Sequence, residues 1–210
     1  MPDLRSELGV APPPARYRIL CPPGWRRVSP EALLGDEATS GFRAEATRRG
    51  RADLARELET MLDSARTALR THGVTEVYLA PADEEGMRPP ATLSVAPLAL
   101  PPGSTLEQAL VRIAGGRPVT ELAGARERLH VIEHERRHGE ADELVERTLL
   151  AIAPVPGSDD RRAIVLTFTA LDAAGTAPES STGAEPADDL VESLLDIGRI
   201  MLLTFRWSPS

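Results

Sequence analysis

The chain is predicted to fold as an α+β domain, an antiparallel β-sheet flanked by helices in an α/β/α-type sandwich, with one disordered insertion. Three observations predict it. Extended stretches come in runs instead of alternating with helices, which is the pattern of an antiparallel sheet. Two longer stretches, within 51–72 and 188–203, set apolar residues at helical spacing. Turn signals such as "CPPGW" and "PVPG" punctuate the runs. The 210 residues, 41% of them hydrophobic, suit one domain that buries about two thirds of its unfolded surface. Aromatic residues make up only 3%, so the core must be largely Leu, Val, Ile and Ala.

Residues 1–15 are Pro-rich and polar and read as a flexible N-terminal arm before a domain spanning 16–207. "RYRIL" and "WRRVS" follow as two short strands, expected to form a hairpin. Between them Pro23 and Gly24 suit the central positions of a type II turn, Pro for its fixed φ and Gly for its positive one. This makes Cys21 a small buried hydrophobe at a sheet corner, with Trp25 closing over the core edge. From Arg51 to His72, the residues Leu54, Leu58, Met61, Leu62, Ala65 and Leu69 share one helical face, and Gly73 suits a left-handed cap.

"VTEVYLA" (74–80) reads as a strand, then "PADEEGMRPP" as a loop and "ATLSVAPLAL" as another strand. Pro97 predicts an edge, a bulge or an early end there. "STLE" is a capping box from Ser104 to Glu107 that opens a short helix through Leu106, Leu110 and Ile113, stopped by Gly115-Gly116. The chain then turns extended through "VTELAGARERLHVIEHE", "ELVERTLLAIAPVPG" and "RAIVLTFTAL". Residues 144–152 also fit a helical face, but length and the flanking "PVPG" favour a strand. "DAAGTAPESSTGAEPA" (172–187) is small, polar and Pro/Gly-bearing, a flexible insertion. Asp188 or Asp189 then caps a final helix whose stripe is Leu190, Leu194, Ile197 and Met201 beside Val191, Leu195 and Leu202. Trp207 near the terminus reads as a core plug.

Composition excludes several functions. The net charge of −8 argues against nucleic-acid binding, which rests on neutralised phosphates. All 24 basic residues are Arg, so Schiff-base chemistry and a P-loop lysine are excluded. The cluster Arg43, Arg48, Arg49, Arg51 and Arg56 is diluted by Glu45, Asp53 and Glu57 and reads as a solvated helix face. One cysteine rules out an internal disulfide. No signal peptide and no apolar run of membrane-spanning length are visible, which predicts a cytoplasmic protein without membrane insertion. There is no G-x-S-x-G elbow and no G-x-G-x-x-G fingerprint.

One catalytic pattern is present. "HERRH", His134 to His138, matches H-E-x-x-H. On a helix, His134 and His138 would share a face and hold zinc, Glu135 would be the general base, and Glu143 or Glu146 a third ligand. His130 lies one further turn back. The residues argue for a strand instead. Val131 and Ile132 are β-branched, Gly139 follows His138, and Arg136 and Arg137 would be costly to bury on a packed zinc helix. Along a strand, His134 and His138 would stand about 13 Å apart, too far to share a metal. No cofactor is expected.

Three stretches carry a resemblance: "YRILCPPGW", "AIAPVPGSDDRRAIVLTFTAL" and "LVESLLDIGRIMLLTFRW". With the order of elements they resemble the PsbP-like α/β sandwich superfamily over roughly residues 16–207. That superfamily includes photosystem extrinsic proteins, a Ran-binding nuclear import factor, and the LpqN-type and DcrB-like proteins of bacteria. No lipobox cysteine stands near the N-terminus, which departs from the lipoprotein members. The resemblance implies a non-enzymatic scaffold that presents a sheet face or loop to a protein partner, and it transfers no catalytic residues. The expected function is therefore a cytoplasmic protein-binding module, an adaptor or chaperone in a secretion or assembly pathway, with homo-oligomerisation left open. A zinc-dependent hydrolase using His134, Glu135 and His138 is the alternative.

Overall fold

Seven strands form one antiparallel sheet in the order β2-β3-β4-β8-β7-β6-β5, and two more, β1 and β9, form a separate small ladder. The strands are β1 (Tyr17–Arg18), β2 (Arg26–Val28), β3 (Glu76–Leu79), β4 (Ala91–Ala99), β5 (Thr120–Glu121), β6 (His130–His138), β7 (Leu144–Pro154), β8 (Arg162–Ala173) and β9 (Arg206–Trp207). Among the described residues the helices are α1 (Pro30–Leu33), α2 (Leu106–Ala114) and α3 (Ala187–Leu203), and residues 66–71 are helical as well. The structure, a computed structural model, describes residues 16–33, 60, 63–64, 66–81, 89–138, 144–158, 161–173 and 187–208. The expected arm, most of the insertion, the arginine cluster at 43–56 and much of the 51–72 helix lie outside the described residues.

The sheet is covered on both faces, as the sandwich predicts. In β4, β7 and β8, alternate residues Leu93, Val95, Leu149, Ala151, Leu166 and Phe168 are buried against the helix α3 side. α3 supplies Val191, Leu194, Leu195, Met201 and Leu202, the stripe read from the sequence. The opposite face carries a smaller cluster in which Leu106 and Leu110 of α2 pack on Ile152 and Ala163. Gly198 sits so close to Phe168 that a Cβ there would stand 2.6 Å from the ring. That small residue lets α3 lie directly on the sheet.

Several local expectations hold. Trp25 N–H donates to the Pro22 carbonyl at 3.2 Å and Gly24 has φ +83°, a type II turn. Gly73, at φ +63°, ends the helical residues 66–71. Its N–H donates to the Arg70 carbonyl and that of Val74 to the Leu69 carbonyl, a Schellman motif. Residues 144–154 are strand, not helix.

Others are corrected. β1 and β2 form no hairpin: Tyr17 pairs with Trp207 in β9 and Arg27 with Tyr78 in β3, so the Pro22–Gly24 turn carries the chain from one sheet to the other. The α2 cap lies one residue later than expected. The Thr105 hydroxyl accepts from Gln108 N–H at 3.2 Å, and the Gln108 Oε1 accepts from Thr105 N–H at 3.1 Å. α3 begins at Ala187, so Asp188 and Asp189 fall in its first turn instead of at its cap, and β8 takes up residues 172–173 of the expected insertion.

Pro97 neither bulges nor ends β4, whose register with β8 is unbroken from Ala91↔Ala170 to Ala99↔Arg162. The Leu100 and Leu171 N–H groups bond across that ladder, to the Arg161 and Pro90 carbonyls, so even-numbered β4 residues face β8 and odd-numbered ones face β3. β3 covers β4 only from Thr92 to Val95. The donor that Pro97 lacks therefore points where no β3 residue pairs.

Candidate functional site

The H-E-x-x-H residues lie on β6, a strand in antiparallel register with β7 from His130↔Ile152 to His138↔Leu144. Strand alternation puts Glu133, Glu135 and Arg137 on the α3 face and His130 and His134 on the other. The structure thus separates His134 from Glu135 across the sheet. The three histidines are residues of one strand, four positions apart, and the side chain of His138 is not among those described. Among the described residues, no three His, Cys, Asp or Glu side chains are grouped to hold a metal ion. Glu146, a candidate third ligand, bonds Thr148 Oγ1 at 3.3 Å, while Glu143 lies outside the described residues.

His134 is half-buried, and its Nδ1 is shut away from solvent without a hydrogen bond. Burial lowers its pKa from the usual value, the Arg117 and Arg136 charges lower it further, and Glu146 opposes them. The ring is held neutral, which suits an imidazole facing two guanidiniums.

The α3 face holds the densest polar arrangement, and it joins three elements. Arg199 Nη1 reaches Glu192 at 2.9 Å and Asp196 at 2.8 Å along its own helix, and Nη2 reaches Glu133 on β6 at 3.4 Å. Arg147 on β7 reaches Glu192 at 3.3 Å and Glu135 at 3.4 Å, and Glu135 also bonds Arg137 at 2.9 Å. The hydrogen bond that Arg199 donates to Glu192, above all, raises the Arg199 pKa, so the guanidinium stays charged at any working pH. These residues floor an open depression of about 380 Å³ whose lining includes Glu133, Glu135, Arg147, Glu192 and Arg199. Its carboxylates remain exposed, with 56% of the Glu133 side chain and 65% of the Asp196 side chain accessible. The ring is a preorganised charged surface.

Motif reading missed this network. Its signal was the spacing of Glu192, Asp196 and Arg199 on one helical face, together with alternate charges at 133, 135 and 137.

Two further places hold chemistry-bearing groups. Near the β1–β2 corner, Glu76 accepts from the Tyr78 hydroxyl at 2.9 Å and pairs with Arg27 at 3.3 Å. The neighbouring Tyr17 hydroxyl is shut away from solvent on the same side as Glu76. Burial first, then Glu76, pushes both tyrosine pKa values well above normal, so these phenols stay protonated. Burial raises the Cys21 thiol as well, and the side chain packs half-buried against the core, as a small hydrophobe would. A second depression, of about 390 Å³, is lined by Glu127, Arg128, Pro156 and Trp207, the residue that pairs with Tyr17. Trp207 is half-buried with its ring edge-on to Phe205 at 5.1 Å.

No family model matches the chain. No curated protein matches it either. Solved structures do. One is a Bacteroides thetaiotaomicron protein with a TM-score of 0.37 and 6% identity; the match covers 66% of this chain and 40% of that one, so the chain spans about two fifths of its length. A second is the Saccharomyces cerevisiae Ran-binding protein Mog1p, with a TM-score of 0.33, 15% identity, and 62% of this chain matched to 77% of that one. A third is a point mutant of Mog1, with a TM-score of 0.33, 13% identity, and 62% of this chain matched to 78% of that one.

Proposed function

We propose that the chain is a protein-binding module, an adaptor or chaperone of a secretion or assembly pathway, that presents the charged floor between α3 and β6–β7 to a protein partner. The observation that carries this reading is Arg199, which ties Glu192 and Asp196 of the helix to Glu133 of the strand while their outer oxygens stay open to solvent. Charges fixed in this way steer encounter and select a partner without the entropy cost of ordering long side chains on contact. Four carboxylates (Glu133, Glu135, Glu192, Asp196) surround three guanidiniums (Arg137, Arg147, Arg199), so the matching surface is basic.

The test is affinity isolation with carboxylate-directed cross-linking. The expected result is a partner linked through Glu192 or Asp196 and lost in a Glu192→Arg/Asp196→Arg variant that still folds. A chain that binds no protein but carries stoichiometric zinc, with a hydrolase activity abolished by His134→Ala, would overturn the reading.

A further inference from the structure

The β6 strand is nine residues long, yet β5 pairs with it only at Thr120↔Val131 and Glu121↔His130. The Leu122 N–H bonds the Leu129 carbonyl, so odd-numbered residues of β6 turn their main-chain groups towards β5. Continuing that register would set Pro118 opposite Glu133. Proline has no N–H to donate to the Glu133 carbonyl, and the chain there turns back to α2 through Gly115 and Gly116, both at positive φ. The N–H and C=O groups of Glu135 and Arg137 therefore point outward, where no described residue pairs with them.

The charges along this open edge are segregated. Glu133 and Glu135 come first, then Arg136 and Arg137. An antiparallel neighbour carrying the same sequence reverses that order and lays the acidic half over the basic half. A two-fold axis normal to the sheet keeps side chains on matching faces, because opposed residues then have the same parity. With the axis at Glu135, Glu133 faces the second copy's Arg137 twice. With the axis at Arg136, Glu135 faces it twice. Either register forms two cross-strand ion pairs against one like-charge pair on the axis, Glu135 or Arg136 with its own copy, and joins the two sheets into one.

We infer that the outer edge of β6 is a self-association surface, where a second copy of this chain pairs antiparallel through residues 133–137. The inference does not rest on the partner-binding reading, although Glu133, Glu135 and Arg137 belong to both surfaces, and the purified chain alone tests it.

Sedimentation equilibrium over a concentration series is expected to show a monomer–dimer equilibrium that weakens with salt. Glu135→Pro removes one outward N–H while leaving the ladder to β7 intact, so it should give a folded monomer. Arg137→Glu should raise the dissociation constant roughly tenfold or more, because two favourable pairs become repulsive. Amide exchange needs no variant: the Glu135 and Arg137 amides should be slow in concentrated protein and fast in dilute protein. A chain that stays monomeric at every concentration, or a dimer unchanged in folded Glu135→Pro with those amides still fast, overturns the inference.

Discussion

Gly198 shows how one residue sets the spacing between layers. In an ordinary helix Gly→Ala stabilises by about 1 kcal/mol. Here the new Cβ would press on Phe168, which is fully buried and has nowhere to go. Gly198→Ala is therefore expected to destabilise by about 1–3 kcal/mol in urea denaturation, the cost of overpacking a core. His134 gives a pH prediction. Its folded pKa is depressed, so below about 6.5 the unfolded chain takes up a proton that the folded chain resists. Stability should be unaffected by this group above that pH and fall as pH drops below it, and His134→Gln should make the fall shallower in denaturation curves taken across the range. Gly198 did not stand out in the sequence, and His134 stood out only as a metal-ligand candidate, not as a buried imidazole. A glycine in a helical stripe looks only permissive, and burial of an imidazole depends on which strand face it takes. By contrast, the corner at Pro22–Gly24 was readable, because the turn type is written in two adjacent residues.

Element boundaries were legible where backbone chemistry is local and ambiguous where two caps compete. "STLE" and "TLEQ" both satisfy the capping-box pattern, and the structure uses the second. Thr105→Ala should then cost about 1 kcal/mol of stability, while Ser104→Ala should cost little. A comparison of the two melting curves checks the assignment. The identity of β6 was legible from its β-branched residues and from the glycine after His138, although the H-E-x-x-H pattern competes with it. Element type decided the chemistry there, since a helix gathers residues four apart and a strand spreads them. The pairing of β1 was not legible, because strand propensity carries no information about a partner nearly a chain length away.

For the whole molecule, the antiparallel α+β architecture followed from the order of elements, and the aliphatic core followed from composition. Sheet order did not follow, because β4 pairs with β8 across an intervening helix and three strands. A fold held by side-chain packing of this kind should not depend on metal. Excess chelator is expected to leave the melting temperature unchanged, and elemental analysis should find substoichiometric zinc. A drop of several degrees on chelation would restore the zinc reading. Tyr17, stacked on Phe205 and edge-on to Trp207, knits the earliest described strand to the latest. During synthesis that first ribbon must wait, unmatched, until Arg206 and Trp207 have been made and have left the ribosome, so nearly two hundred residues emerge before this ladder can close.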